Sequence, residues 1–235
     1  TGSWRTHQYE KKKGNLYPTH GLGPVSQYMN LLRTEDTFKT LVSLSSPSAG
    51  RKIFAKDNFN KNHKWNKLNF QNGDINTTVI KTYLGRTIMV QWDETSPRPY
   101  TRLNLIQGTK GALAGGPTRA AFDGGFENFT KDSHEWIKGE GIQRLYEKYD
   151  HPMYKRLNEL TKDSGHGGMD GMMVYRIIEC LRNGEPLDQN IYEGCAWSSL
   201  IELTSNSVNQ GGIPQEFPDF TRGNWVSTKP FNIKS

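Results

Sequence analysis

Cysteine is scarce in this sequence. Cys180 and Cys195 are the two in 235 residues, too few for a disulfide framework or a cysteine metal quartet. Cys180 falls in an apolar-rich helical stretch, where a small buried hydrophobe is the role that fits it. Long hydrophobic runs are missing too. None approaches the roughly 18 residues that span a bilayer, and no secretory leader pattern opens the sequence. There is no internal repeat, no low-complexity segment and no set of residues spaced as metal ligands. Glycine-rich phosphate loops of the GxGxxG or GxxxxGK[ST] order are absent.

What is present is a polar but patterned chain. Hydrophobic residues make up 34% and aromatic residues 11%, and the mean hydropathy is −0.76. That is too aromatic and too regular for disorder. Lys plus Arg is 30 against 24 for Asp plus Glu, a net charge of +6. The basic runs, 11–13 and 61–67, are short and carry no nucleic-acid-binding motif. They read as solvated faces, and nucleic acid is not expected as a partner. The length suits one large domain, taken as 1–235, or two small ones.

Residues 23–32 read as a short helix with Pro24 in its first turn. Residues 38–45 alternate apolar and polar and read as a strand, and 51–59 as a helical excursion before an Asn- and Lys-rich loop. Residues 77–84 and 87–93 form a hairpin at Gly85-Arg86. The strand pattern resumes over 101–107, 111–114 and 118–122, an antiparallel meander. Helical spacing then dominates over 142–149, 152–162 and 168–181, the last ending at Asn183-Gly184 and placing Met172, Met173, Ile177 and Cys180 near one stripe. Asp188 or Asn190 caps a further helix running to about Asn206. The tail, about 212–235, reads as an aromatic strap across the body. Strands in one block and helices in another give an α+β class, with one open, mostly antiparallel sheet and helices packed on one face.

Four segments carry candidate chemistry. Tyr17-Pro18-Thr19-His20 sets a phenol and an imidazole three residues apart beside a helix start. On spacing alone, an ordinary turn around a buried, hydrogen-bonded His is the simpler account. Asp93-Glu94 resembles a glycosidase carboxylate pair, but neighbours on a strand point to opposite faces, which makes them a poor acid/base pair. Beyond it, Pro97 and Pro99 stiffen a loop from which Tyr100 can meet a ligand. In Gly165–Asp170, His166 and Asp170 share a helix face, or Asp170 orients His166, either lining a site or permitting close packing. The segment 217–225 reads as aromatic packing.

Together the strings GNLYPTHGLGPVSQYMN (14–30), LGRTIMVQWDETSPRPYTRLNLIQGTKG (84–111), GHGGMD (165–170) and FPDFTRGNW (217–225) resemble the C-terminal domain of glycoside hydrolase family 109. The likeness runs through the chain in order, weakest at 51–76 and 112–140. It implies the fold of the glucose–fructose oxidoreductase/inositol dehydrogenase superfamily and the activity of a bacterial NAD-dependent α-N-acetylgalactosaminidase. In that chemistry hydride leaves sugar C3 for NAD, a base removes the C2 proton, and the aglycone is eliminated. Water then adds at C1 and the hydride returns, so configuration is retained. By resemblance His20 is the leading acid/base and Tyr17 contacts sugar and cofactor, with their roles exchangeable. Arg5 and Tyr100 contact substrate, Pro18 and Thr19 line the same segment, and His166 and Asp170 remain candidate lining residues. No metal is implied.

The implied partners are glycans bearing N-acetylgalactosamine, a second copy through the sheet, and an N-terminal Rossmann domain that binds NAD. That Rossmann half is not in this sequence, and the opening Thr1-Gly2-Ser3-Trp4-Arg5 looks like a cut inside a longer protein. The isolated chain is therefore expected to be folded and inactive, and the parent protein periplasmic or secreted. A sugar oxidoreductase of the same fold and a silent carbohydrate-binding domain are the alternatives.

Overall fold

The alternation read in residues 38–45 builds β1 (Phe38–Ser45), which buries Phe38, Leu41 and Ser43 and turns Lys39 and Leu44 outward. It pairs antiparallel with β2 (Ile75–Thr82), which pairs antiparallel with β3 (Thr87–Asp93), so that Leu41, Ile80 and Ile88 fall in register on one face. Helix α2 (Thr19–Tyr28) and the long C-terminal helix α7 (Ile191–Asn209) cover that face. The core joins Leu22, Phe38, Leu41, Ile80, Ile88, Trp197 and Leu200. Burial of this kind contributes about 1.5–3 kcal/mol per large apolar side chain. The opposite face of the sheet is open, with Val79, Met89 and Leu44 exposed.

These elements belong to one of two compact units. The first holds residues 1–97 and 189–232, the second 98–188 and 233–235. The structure, a computed structural model, describes residues 4–132, 134–230 and 233, so the Thr1-Gly2-Ser3 part of the proposed cut lies outside the described residues.

In the first unit, a further strand completes the sheet order β3-β2-β1-β7. This strand, β7 (Gln215–Glu216), comes from the tail and pairs antiparallel with Thr40 and Leu41. Two residues are too few to show a periodicity, so this strand is not legible in the sequence. The strap reading of the tail holds where it is described. Phe217 stacks on Phe38 at 4.9 Å, and Trp225 lies 6.3 Å from Tyr83, centroid to centroid. Asp219 gathers the strap by accepting hydrogen bonds from Thr221 Oγ1 and the N–H groups of Thr221 and Gly223. Burial pushes its carboxyl up, but these donors outweigh it and hold the group below its ordinary value.

The hairpin is in place as expected and its second strand keeps the bounds read for it, but the first runs 75–82 instead of 77–84 and so ends two residues earlier at the turn. Asp36, fully buried, explains the difference. Its Oδ1 accepts the N–H groups of Thr37 (2.9 Å) and Leu84 (3.0 Å), and its Oδ2 takes a two-pronged contact from Arg86. The carboxylate therefore organises 83–86 as a loop, not as strand. Burial raises the Asp36 pKa and the Leu84, Thr82 and Arg86 hydrogen bonds lower it by more, leaving it depressed. A second buried ion pair closes the other side. Asn190 and Glu193 form a capping box at the start of α7, and Glu193 also accepts from Arg33 at 2.8 Å.

The meander does not continue in one sheet. After Pro97 and Pro99, β4 (Leu105–Gly108), β5 (Gly111–Ala114) and β6 (Arg119–Phe122) make a separate three-stranded antiparallel sheet in the second unit. Residues 101–104 are not strand, because Thr101 Oγ1 accepts the Leu103 N–H in a local turn and Leu103 has φ +44°. The unit's small core is Ala120, Phe126, Ile137, Ile142 and Leu145. Helices α4 (Glu140–Tyr149), α5 (Pro152–Thr161) and α6 (Met169–Asn183) follow. Gly184 caps α6 in the left-handed region, as its position predicts. Cys180 is fully buried. Arg176, also buried, is locked by a fork to Asp188 at 2.7 and 3.0 Å.

Candidate functional site

Tyr17 and His20 are positioned by a chain of buried polar contacts. Gly14 adopts φ +86°, and a Cβ there would lie 2.6 Å from Thr204 Oγ1 and 2.7 Å from the Ser205 N. Only glycine lets the backbone approach α7 this closely. Asn15, 1% exposed, donates its N–H to Thr204 Oγ1 at 2.9 Å. Its side-chain oxygen then accepts the Tyr17 N–H at 2.9 Å, an Asx turn that aims the chain into Pro18. With Pro18 buried at the cap, α2 starts at Thr19. That is four residues before the start read from Pro24, which instead lies inside the helix. The early start sets His20 in the first turn, next to Tyr17.

The two rings meet. Tyr17 Oη lies 3.0 Å from His20 Nε2, with ring centroids 4.7 Å apart. Both residues are exposed, Tyr17 at 41%. His20 is therefore not the buried turn histidine that spacing alone favoured. Arg5, on α1 (Arg5–Lys11), holds its guanidinium 4.9 Å from the Tyr17 ring centroid, a cation–π geometry. Its Nε is buried without a hydrogen-bond partner. A buried donor left unpaired is costly, and an incoming hydroxyl would satisfy it.

One turn further along α1, Tyr9 extends the cluster. Its hydroxyl donates to Glu94 Oε2. The Arg51 guanidinium, on α3 (Gly50–Asn58), sits 4.1 Å from the Tyr9 ring centroid and 5.7 Å from that of Trp92. Burial pushes the Tyr9 phenol up to about 12, with the Glu94 hydrogen bond and charge adding to it against the opposing field of Arg51 and Arg5. Asp74 fixes α3 by accepting the Ala49 and Gly50 N–H groups at 2.8 and 2.9 Å. Tyr9 and Arg51 were missed in the sequence. The i, i+4 spacing of Arg5 and Tyr9 on a helix was the available signal; nothing local marked Arg51.

Asp93 and Glu94 do diverge. Asp93 accepts the N–H groups of Thr95 and Ser96 at 3.1 and 3.0 Å, while Glu94 faces Tyr9. No two-carboxylate pair is formed by these neighbours. Tyr100, His166 and Asp170 lie in the second unit. Tyr100 is 85% exposed and its hydroxyl accepts from Arg102 Nε at 3.1 Å. His166 Nδ1 lies 3.0 Å from both Asp170 carboxylate oxygens. They do not share a helix face, because α6 begins at Met169 and His166 precedes it with φ +55°. Asp170 orients His166, the second of the two readings. Among the described residues, no three His, Cys, Asp or Glu side chains gather as metal ligands, and no helix is long and apolar enough to cross a membrane.

Comparison with known proteins identifies the family of the chain. Residues 1–227 match the profile described as "Glycosyl hydrolase 109, C-terminal domain". Glycosyl hydrolase family 109 proteins 1 and 2 of Akkermansia muciniphila are 62% and 58% identical to the chain, over 99% and 100% of it. The chain spans 48% and 49% of their length. Among solved structures, an oxidoreductase domain protein from Kribbella flavida superposes with a TM-score of 0.50 at 12% identity, covering 84% of this chain and 49% of that one. The α+β architecture is thus a fold that this Kribbella flavida protein shares. The chain belongs to glycosyl hydrolase family 109 and matches its C-terminal domain.

Proposed function

We propose that this chain carries the sugar site of an NAD-dependent α-N-acetylgalactosaminidase, acting by oxidation, elimination, addition and reduction with retention. The observation that carries the reading is the Tyr17–His20 contact at 3.0 Å with Arg5 stacked on Tyr17. A phenol and an imidazole in contact form a proton relay on an exposed ledge. A hydrolase built on two carboxylates would need a free acid/base pair, whereas Asp93 is taken up by the Thr95 and Ser96 N–H groups and Glu94 by Tyr9.

In this reading the His20 Nε2–H is donated to Tyr17 Oη, which leaves Nδ1 as the basic nitrogen that removes and returns the proton at C2 of the sugar. The Tyr17 hydroxyl holds the imidazole in place and offers its proton to a sugar oxygen. Arg5 Nε, now unpartnered, takes a sugar hydroxyl. NAD, when bound, supplies reversible hydride acceptance at C3, which acidifies the C2 proton. The exposed face of Tyr17 suits contact with a flat cofactor ring. Among the described residues no strand leads through a glycine-rich turn into a helix, so these residues fit contacting the cofactor and not holding its pyrophosphate.

The test is release of N-acetylgalactosamine from an α-linked chromogenic glycoside by the protein that carries this chain, run in deuterated water. Deuterium at C2 of the product supports the elimination route; release without exchange excludes it. The same relay would serve a sugar dehydrogenase, for which NADH would accumulate in step with a free sugar.

A further inference from the structure

A second ligand-sized feature lies on α3 and the loop after it. Residues 51–67 hold five lysines and Arg51 against a single carboxylate, Asp57. Lys52 and Lys56, four apart, project from the same side of α3. Together with Phe59, Lys61, Trp65 and Asn66 they line a cavity of about 470 Å³, within the range of small-ligand sites. No carboxylate among the described residues lies within ion-pair distance of Lys52, Lys56 or Lys61. Three lysines without a carboxylate partner around one cavity give it a positive potential that favours an anion.

The cavity wall is pre-organised. Asn66 Nδ2 donates to the carbonyls of Asn60 (2.9 Å) and Phe59 (3.3 Å), and Asn60 Oδ1 accepts the Asn62 N–H at 3.0 Å. His63 Nδ1 accepts the Trp65 N–H at 3.2 Å, and the His63 ring stacks on Phe59 at 4.2 Å and 12°. Trp65 closes the group, 5.6 Å from Phe59 and only partly buried. An aromatic platform locked in this way, beside cations, recognises a flat-faced ligand that carries negative charge. The C–H face of a sugar ring packs on such a π surface.

We infer that Lys52, Lys56, Lys61 and Trp65 form a subsite for an anionic sugar, one bearing a sulfate or a carboxylate, on the glycan whose terminal residue is handled at Tyr17 and His20. This rests on the carbohydrate reading above. Continuity favours it: Arg51 touches Tyr9, Tyr9 shares α1 with Arg5, and Arg5 stacks on Tyr17. At 1.5 Å rise per residue, Lys52 and Lys56 lie about 1.5 and 7.5 Å along α3 from Arg51, so the cavity begins beside the Arg51–Tyr9 contact. A single open cavity, with Phe59 and His63 stacked on one another, suits one ring better than the run of stacking platforms that tracks a nucleic-acid strand.

The test uses the full-length protein and three probes: a neutral trisaccharide ending in α-N-acetylgalactosamine, its monosulfated form, and its form carrying a carboxylate sugar. At low salt, one or both acidic probes should bind about tenfold tighter than the neutral one, from three partly solvated ion contacts. Whichever gains more names the anion. In the triple variant Lys52→Gln, Lys56→Gln, Lys61→Gln the preference should fall to within about twofold, and Trp65→Ala should weaken all three probes. Turnover of the neutral chromogenic glycoside should stay within about twofold in the triple variant, whose lysines lie outside the relay, which also shows that it folds. Equal binding of the three probes overturns the subsite. So does a preference that survives the triple variant, or a single-stranded RNA that outcompetes both acidic sugars. Loss of glycoside turnover in the unaltered protein would overturn the glycosidase reading alone, since the affinity ratio is measured without turnover.

Discussion

In the first unit, α7 lays Ala196, Trp197 and Leu200 into the sheet core, all but fully buried. In the second, α6 buries Arg176 and Cys180 and leaves Met173, Val174, Ile178 and Leu181 about half or more exposed. Both helices are long, and α6 has the stronger apolar stripe in sequence. The difference shows that an apolar stripe states a capacity to pack, while the partner surface decides whether packing happens. The first unit supplies that surface as a sheet face and the second does not. The Tyr17–His20 pair, the relay proposed above, is anchored to the well-packed unit through Gly14, Asn15 and Thr204, which suits a site on a rigid scaffold.

The largest test of this contrast is catalytic. His20→Ala in the full-length protein should lower turnover by about 10²–10⁴-fold with little change in melting temperature, since the ring is exposed. His166→Ala, which removes an exposed pair in the second unit, should change turnover less than about threefold. A comparable loss from both would place the second unit in the chemistry.

Next comes packing. Leu200→Ala, at 0% exposure, should cost about 3–4 kcal/mol in urea unfolding followed by tryptophan fluorescence. Leu181→Ala, at 68% exposure, should cost under about 0.5 kcal/mol. Equal costs would mean that α6 is covered in solution.

Asp36→Asn should destabilise the first unit by about 2–3 kcal/mol, because Arg86 and two N–H groups lose a buried carboxylate. Its folded pKa lies below the ordinary 3.8, so its stabilisation is complete above that value and lost as pH falls through the depressed one. The variant should therefore flatten the acid limb of the stability curve, and an unchanged limb would refute the role given to Asp36.

The smallest effect belongs to Tyr9. Its phenol, raised to about 12, should remain protonated at pH 11 in an absorbance titration. Stability from it is present below the unfolded value of 10.0 and declines as pH rises from there toward 12. Tyr9→Phe should cost about 1 kcal/mol near neutrality and abolish the late-titrating signal.

Local signals carried the strand at 38–45, the hairpin, the Gly184 cap and the Asn190 cap, because each depends on neighbours within four residues. They also brought Tyr17 and His20 together, since three residues across a helix start suffice. The start itself was misplaced because Pro24 mimics a first-turn proline, and the Asn15 turn that sets the true start is held by Thr204, 189 residues away.

The amino-acid sequence by itself determined the α+β class, the order of its helices after α1 and of most strands, the family, and the closeness of Tyr17 to His20. The tertiary structure decided what lies beside that pair. Tyr9 meets Glu94 across 85 positions, Arg51 reaches Tyr9 through the Asp74-capped α3, and β7 joins an edge prepared by β1. It also divided the strands between two sheets. Periodicity reports which face of a segment is apolar; only three-dimensional packing chooses the surface that the face meets and the polar groups enclosed with it.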